Sequence, residues 1–319
     1  MSLAPEDKYR VSYTFRGATI SLLQTPRDRV YGVADAPDNT GWAIWEASNV
    51  LMRWLSADAN VRAALRSPRA PAWGELRVLD VSAGAGLVSL AAAAAGAAAV
   101  TASDIPEQLQ QLTLNIARGG WCVGTAGCNG AAGGEADGVE SGGDGCALHH
   151  NVRVAPYLWG GDIEPLRPPV ASAGGARWFD LALLSDILYI AIRDKREAEL
   201  AHTIRALAPH CGALIMSLEE RLPDEEQAFM ERLGLAPPAA RERSGGAPEA
   251  PPDEGEGKLE VEELTGDAVH IEFEDSLKGA GGHADTDIFS PFLWWTPPPI
   301  RMWVIRAREG RDVDARLGS

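Results

Sequence analysis

The chain is poor in the features that mark several common classes of protein. Its 319 residues include only four cysteines, at positions 122, 128, 146 and 211, so a disulfide framework is excluded and a reducing compartment is expected. Basic residues are in deficit, 29 against 45 acidic ones, and a net charge of -16 argues against nucleic acid or an anionic membrane as the main partner. The longest apolar run, residues 90–100, is far shorter than the roughly 18 to 20 residues that span a bilayer.

The N-terminus also lacks a targeting pattern. Its first ten residues contain no apolar core, so neither a secretory signal nor a transit peptide is predicted. We therefore expect a soluble protein of the cytoplasm, with the nucleus as the alternative compartment. A hydrophobic content of 45% is enough to build a sizeable core.

Charge and glycine are concentrated in a few stretches. Residues 242–275 hold twelve acidic and two basic side chains, which account for ten of the sixteen net negative charges. Residues 119–150 hold eleven of the 34 glycines. Segments of such composition bury too little apolar surface to offset the entropy cost of ordering the chain. Residues 119–150 and 236–257 are therefore predicted to be low-complexity insertions. The length then fits a single domain, residues 1–319, with an N-terminal extension over about residues 1–60.

Outside these stretches, strand and helix patterns alternate. Apolar runs separated by helices of 10 to 15 residues are typical of a doubly wound, mostly parallel α/β sheet, and the β-rich C-terminus predicts an antiparallel hairpin at its edge. The predicted strands are 77–84, 98–104, 152–157, 179–185 and 213–218, followed by β segments at 259–264, 269–273 and 301–307. The predicted helices are 87–96, 105–118, 193–207 and 224–233.

A run of small residues follows the first of these strands. In such sheets a ligand binds at the carboxyl ends of the strands, which is where the turn from Asp80 to Gly86 is expected. Asp104 ends the next strand, eighteen residues after Gly86, where a carboxylate can accept both hydroxyls of a ribose. The turn is not the full dinucleotide fingerprint, because Ser89 stands where a third glycine would fall. The alternative is a structural turn whose glycines serve packing alone.

Four segments in this order resemble the seven-β-strand S-adenosylmethionine-dependent methyltransferases, and within them the lysine methyltransferases of methyltransferase family 16. The segments are GWAIWEASNVL (41–51, preceded by 14–24), LDVSAGAGLVSL (79–90, with SDIPE at 103–107), VAPYLWG (154–160) and FDLALLSDILYIA (179–191). The resemblance covers most of residues 10–235 and implies a Rossmann-like sheet of seven strands. The chain departs from the family at Ser82, where glycine is usual.

The resemblance implies S-adenosylmethionine as the methyl donor and assigns roles to particular residues. Trp45 would lie beside the methionine end of the donor, Asp104 would hold the ribose, and Trp159 would line the adenine pocket. The remaining donor-site residues are Asp80, Ser82, Ala83, Gly84, Gly86 and Ser185. For the two tryptophans the alternative is ordinary core packing.

The motif Asp186-Ile-Leu-Tyr189 is typical of this family. The resemblance implies that it binds the lysine amine that accepts the methyl group. A free lysine has a pKa near 10.4, so a site that methylates lysine must favour the neutral amine. Asp186 would orient an N–H of the substrate's neutral amine, and the ring of Tyr189 would lie over the alkylammonium group of the substrate lysine. The alternative is that Asp186 caps a turn while Tyr189 packs. The expected partner is a protein with an accessible lysine, bound by a monomer.

Other features carry less weight. Cys122, Cys128, Cys146, His149 and His150 lack a recognised ligand spacing, so no metal site is predicted. The aromatic cluster at 289–295 either rims an acceptor groove or packs the terminal strands, and we adopt packing. A small-molecule methyltransferase and a non-catalytic binding module remain as rival functions. The acidic stretch either attracts a basic partner or is a solvated face.

Overall fold

The computed structural model describes eight parts of the chain, from Arg10 to residue 308. These are residues 10–24, 40–68, 72–119, 123–124, 151–168, 177–234, 259–264 and 299–308. Apart from residues 119 and 123–124, the two predicted insertions lie outside the described residues. The predicted β segment 269–273, the aromatic cluster 289–295 and the cysteine and histidine residues weighed as metal ligands also lie outside them.

Within the described residues the chain forms ten strands and seven α-helices. The strands are β1 Arg10–Phe15, β2 Ala18–Leu23, β3 Arg77–Val81, β4 Ala99–Asp104, β5 Val123–Gly124, β6 Val152–Pro156, β7 Phe179–Ser185, β8 Cys211–Glu219, β9 Leu259–Leu264 and β10 Ile300–Ala307. The helices are α1 Glu46–Ser56, α2 Asp58–Ala64, α3 Leu87–Ala94, α4 Leu109–Arg118, α5 Ile187–Arg193, α6 Glu197–Leu207 and α7 Pro223–Gly234. None of the helices in this described part has the length and apolar character needed to cross a membrane.

Eight strands form one mixed sheet in the order β5-β6-β4-β3-β7-β8-β10-β9. The six strands from β5 to β8 pair in parallel, and β10 pairs antiparallel with both β8 and β9. The predicted fold class is therefore confirmed, with the two-residue strand β5 added to seven longer strands. The chain runs outward from β3 to β6 and returns at β7, so a topological switch point lies between β3 and β7.

Side chains on the two faces of the sheet form two separate cores. Val78 and Val100 point to the face that is covered by α1, α2, α3, α4 and the β1–β2 hairpin. Leu79 and Leu184 point to the opposite face, which is covered by α5, α6 and α7. Because successive residues of a strand face opposite sides, strands buried on both faces appear in the sequence as continuous apolar runs.

Some predicted boundaries were wrong. The helix predicted at 193–207 begins only at Glu197, and the preceding helix α5 was not predicted; a turn in which Lys195 has a φ of 57° separates the two. A left-handed residue interrupts the helical hydrogen bonds, which the apolar spacing alone did not reveal. The helix predicted from 105 begins only at Leu109. The segment 14–24 contains the end of β1 and the whole of β2, in a hairpin that turns at Arg16 and Gly17, both with positive φ.

Two glycines of the turn between β3 and α3 have backbone conformations that L-residues rarely adopt. Gly84 has a φ of 55°, and a Cβ atom there would lie 2.8 Å from the carbonyl oxygen of Gly41. Gly86 has a φ of 91°, and its Cβ would lie 2.8 Å from Cδ1 of Leu112. The turn therefore needs glycine for its own geometry and for the close approach of the segment that contains Gly41.

This geometry predicts the effect of Gly84→Ala. The new methyl group would meet backbone rather than a flexible side chain, and it would strain a left-handed residue, so the free energy of unfolding should fall by about 2 kcal/mol. Gly74→Ala is the matched control, because the nearest heavy atom to its new Cβ is 4.0 Å away. Urea denaturation of both variants measures the difference, and an equal loss in the two would contradict this account of the turn.

Candidate functional site

A cavity of about 260 Å³ opens along the carboxyl ends of the central strands. Its lining comes from the segment before α1 and from the residues that end or follow β6, β4, β3, β7 and β8. Ten of the eleven predicted site residues line it: Trp45, Asp80, Ser82, Ala83, Gly84, Asp104, Trp159, Ser185, Asp186 and Tyr189. The exception is Gly86, which precedes the first turn of α3.

The middle of the cavity is the turn after β3, held by the carboxylate that ends β4. Oδ2 of Asp104 accepts the backbone N–H of Gly84 at 2.7 Å, and Oδ1 accepts that of Ile105 at 2.8 Å. Burial raises the pKa of Asp104 to about 6, although both backbone donors act in the opposite direction. The carboxylate thus fixes the glycine turn while still lining the cavity.

Asp80 is buried at the end of β3. Its Oδ2 accepts the hydroxyl of Ser89 in α3 at 2.5 Å, so the residue in the third-glycine position ties the helix to the strand. Burial raises the pKa of Asp80 to about 7, and the nearby Asp104 adds to the rise, while the hydrogen bond from Ser89 opposes it. Ser89 is itself fully buried, so its hydroxyl is accommodated between α3 and β3.

Trp159 forms one end wall of the cavity. Its indole Nε1 donates a hydrogen bond to Oγ of Ser82 at 2.9 Å. The guanidinium of Arg196 lies over the ring, 5.5 Å from its centroid. Trp159 is partly buried, and it both packs against the core on this face of the sheet and lines the cavity.

Asp186 lies at the other end of the cavity, in an ion pair that the sequence did not reveal. Nη1 of Arg221 donates to its Oδ1 at 2.9 Å and Nη2 to its Oδ2 at 2.8 Å. Nη2 also donates to Oε2 of Glu219 at 2.6 Å. Asp186 has a φ of 56° and precedes α5, but its side chain does not cap that helix, so turn capping does not explain the residue.

The guanidinium of Arg221 also faces two aromatic rings. It lies 4.8 Å from the ring centroid of Tyr189 and 5.3 Å from that of Trp45. The sequence predicted a substrate alkylammonium over Tyr189, and the structure places a cation of the chain itself over this ring. Backbone N–H groups of Arg221 and Leu222 both donate to Oε1 of Glu226, which fixes the loop that carries Arg221.

Hydrogen bonds hold α1 across the strand ends and so position Trp45, which directly precedes it. Oγ of Ser48 lies 2.9 Å from Oγ of Ser185, and Oγ of Ser217 donates to the carbonyl of Ala47 at 2.7 Å. Ser185 therefore contributes to the site partly through α1. This contact joins residues 137 positions apart.

The polar lining residues that were not predicted include Gln108, Arg196 and Arg221, and Glu219 contacts the site through Arg221 without lining the cavity. Gln108 and Arg196 directly precede α4 and α6, Glu219 ends β8, and Arg221 follows it, and none of them belongs to a recognisable motif. No cluster of three or more histidine, cysteine, aspartate or glutamate side chains suited to a metal ion occurs within the described ranges.

The strand order and the cavity define a fold class, the doubly wound α/β sheet with a cleft at its topological switch point. More specifically, the family model described as lysine methyltransferase matches residues 33–123, which confirms the resemblance. The matched region contains Trp45, the glycine turn and Asp104, and it ends before Asp186 and Tyr189. No curated protein matches the sequence.

Several solved methyltransferases are structurally similar at low identity. Mitomycin 7-O-methyltransferase MmcR is 13% identical, with 82% of this chain and 58% of that chain covered and a TM-score of 0.36. SMU.776 complexed with SAH is 12% identical, with 95% of this chain and 57% of that chain covered and a TM-score of 0.40. The ribosomal protein L11 methylase of Lactobacillus delbrueckii subsp. bulgaricus is 12% identical, with 94% of this chain and 100% of that chain covered and a TM-score of 0.39. The chain spans little more than half the length of the first two.

The raised pKa of Asp104 predicts a pH dependence of donor binding. Only the ionised carboxylate accepts both ribose hydroxyls, so protonation below pH 6 should weaken binding. With a pKa of about 6, the affinity for S-adenosylhomocysteine should fall about fourfold between pH 7.5 and pH 5.5. Calorimetric titration at the two pH values measures this change.

Asp104→Asn provides the control for that titration. The variant should bind more weakly at pH 7.5, and any pH dependence that it keeps belongs to Asp80, whose pKa is also raised. An undiminished fourfold change in Asp104→Asn would show that Asp104 is not the titrating group.

Proposed function

We propose that the protein transfers a methyl group from S-adenosylmethionine to the ε-amine of a lysine in a protein substrate. One observation carries the proposal: a single cavity joins the glycine turn and Asp104 at its middle to the Asp186, Tyr189 and Arg221 cluster at one end. The first part lies within the family match, and the second contains the D-x-x-Y motif.

The residues of the turn fit the donor by their chemistry. A buried carboxylate at Asp104 suits a ribose diol, and the aromatic face of Trp159 suits a purine. The small residues between Ser82 and Gly84 let a ligand approach the backbone closely. S-adenosylmethionine, when bound, supplies an electrophilic methyl group on a cationic sulfur.

Methyl transfer by in-line displacement requires mainly positioning and exclusion of water. The cavity supports both, because α1 lies across the strand ends and places Trp45 in its wall. Little proton transfer is needed on the donor side. The demands on the protein therefore fall at the acceptor end, where the amine must be neutral and oriented.

Charges at that end act on the protonation of the substrate amine. The cationic donor disfavours a further positive charge beside it, which lowers the pKa of an entering lysine, and the guanidinium of Arg221 offsets part of the negative charge of Asp186 and Glu219. Oδ1 of Asp186 accepts N–H groups from Arg221 and from the backbone of Glu219, whereas Oδ2 accepts from Arg221, so a lone pair of Oδ2 can accept an amine N–H. Because Arg221 holds both oxygens, the direction of that acceptor is fixed.

The acidic residues of β9 do not favour electrostatic capture of a basic partner. Glu260 pairs with Arg66, Glu262 with Arg306 at 3.0 Å, and Glu263 with Arg301 at 2.8 Å. Their charges are thus compensated within the chain. Recognition of a lysine-bearing protein by a monomeric enzyme is proposed to occur at the end of the cavity that holds Asp186 and Tyr189.

Incubation with methyl-labelled donor and a lysate of the source organism tests the proposal. We expect label in one or a few proteins, located on lysine by mass spectrometry. Asp186→Ala should abolish the label, because the acceptor amine loses its orienting carboxylate. Label on a small molecule alone, or on another residue type, would contradict the lysine assignment.

Asp186→Asn is the control for loss of folding in this experiment. The amide keeps the shape of the side chain but not the charge, and calorimetry with S-adenosylhomocysteine shows whether the donor site is intact. Transfer should fall at least about tenfold while donor affinity stays within about twofold. Undiminished labelling by either variant would exclude Asp186 from the acceptor site.

Arg221 offers a second test with a matched control. Arg301 makes contacts of the same kinds as Arg221. It forms a bidentate pair with Glu263, contacts Glu220 and lies 4.8 Å from the ring centroid of Trp303. Arg301 does not line the cavity. Both Arg221→Lys and Arg301→Lys keep the charge and lose the bidentate geometry.

We expect Arg221→Lys to lower the rate of protein methylation at least about tenfold, since Asp186 is no longer held by two bonds. Arg301→Lys should change the rate by less than about twofold. Methylation assayed at equal concentrations of folded protein measures both. Equal rates in the two variants would mean that Arg221 is only a structural residue.

A further inference from the structure

The residue by which the chain departs from its family, Ser82, makes a specific contact at the donor end of the cavity. Its Oγ accepts the indole N–H of Trp159 at 2.9 Å. The two residues follow different strands, β3 and β6, which are separated in the sheet by β4. One side-chain hydrogen bond therefore joins two loops that the sheet itself does not connect.

The backbone of Ser82 is in a conformation that favours glycine. Its φ is 60°, in the left-handed region, where a Cβ atom is unfavourable. Glycine, which is usual at this position in the family, would satisfy the backbone without that cost. A serine here is explained if its hydroxyl does something that glycine cannot, and the bond to Trp159 is such a contribution.

The backbone around Trp159 is fixed independently of this bond. Gly160 N–H donates to Oγ1 of Thr203 at 2.9 Å, and Nη2 of Arg196 donates to the carbonyl of Trp159 at 3.3 Å. A Cβ on Gly160 would lie 3.0 Å from Cγ of Glu199, so this loop packs closely on α6. These contacts place the Trp159 backbone, and the polar contact that sets the direction of its indole N–H is the one with Ser82.

The order of the strands separates this contact from the acceptor end. Trp159 follows β6 and Asp104 ends β4, on one side of β3. Asp186 follows β7 and Arg221 follows β8, on the other side. The contact between Ser82 and Trp159 therefore belongs to the part of the cavity proposed for the nucleoside, which donor and product have in common.

We propose that Ser82 is a positioning residue that holds Trp159 as a preformed wall of the donor pocket through the hydrogen bond from Nε1 to Oγ. This inference rests on the proposed use of S-adenosylmethionine. Ordering the indole before the ligand arrives removes part of the cost of binding. The contribution is to affinity for donor and product alike, not to transfer of the methyl group.

A double-mutant cycle on the full chain tests the inference, with S-adenosylmethionine and S-adenosylhomocysteine as separate ligands in calorimetry. The variants are Ser82→Ala, Trp159→Phe and the two combined. Loss of one hydrogen bond should weaken binding of each ligand about fivefold in Ser82→Ala. In the Trp159→Phe background, which lacks the donor N–H, the same serine substitution should change affinity less than about 1.5-fold.

Ser82→Gly separates the hydroxyl from the backbone conformation. It should weaken binding as much as Ser82→Ala, while its thermal midpoint is equal to or above that of Ser82→Ala because the left-handed strain is relieved. A purely structural role would instead lower stability without a selective change in affinity.

Three results would overturn the inference. A fivefold loss that persists in the Trp159→Phe background would mean that the hydroxyl acts on the ligand directly. An unchanged affinity in Ser82→Ala would mean that the bond does not affect binding. Absence of binding by the unsubstituted protein would refute the proposed donor as well, whereas binding without coupling between the two sites refutes only the role of Ser82.

Discussion

The hydrogen bond from the Gly84 N–H to the Asp104 carboxylate is the constraint on which the site depends. It joins the ends of adjacent parallel strands at 2.7 Å and holds the turn in a conformation that only glycine accommodates easily. The turn packs against the backbone of Gly41, in the segment that leads to Trp45 and α1. Trp45, although distant in sequence from the turn, lines the same cavity.

The two ends of the cavity differ in how they treat charge. At the donor end, burial raises the pKa of Asp80 and Asp104, so these carboxylates lie in a low-dielectric environment. At the acceptor end, two buried carboxylates share the single guanidinium of Arg221. Removing one partner of such a buried pair leaves an uncompensated charge, so the three side chains are best regarded as one unit. The site thus combines a buried end with two carboxylates, proposed for the nucleoside, and a rigid end built around the ion pairs of Arg221, proposed for the amine.

Local patterns were sufficient to predict the central strands of the sheet. Asp80 and Asp104 could be placed in one site because parallel strands bring their carboxyl ends to one edge, whereas Trp159 and Asp186 were assigned by the family resemblance. The pairing of Asp186 with Arg221 could not be predicted, since it joins residues 35 positions apart in loops of no regular pattern. Helix α5 was missed because its apolar residues continue the apolar run of β7 without a helical alternation of polar positions.

The most direct test of the central claim, that one cavity along the strand ends holds both donor and acceptor, is a crystal structure with S-adenosylhomocysteine bound. We predict the ribose at Asp104, the adenine beside Trp159, and the homocysteine sulfur directed toward the cluster of Asp186 and Arg221. A ligand bound elsewhere, or one whose sulfur points away from that cluster, would contradict the account.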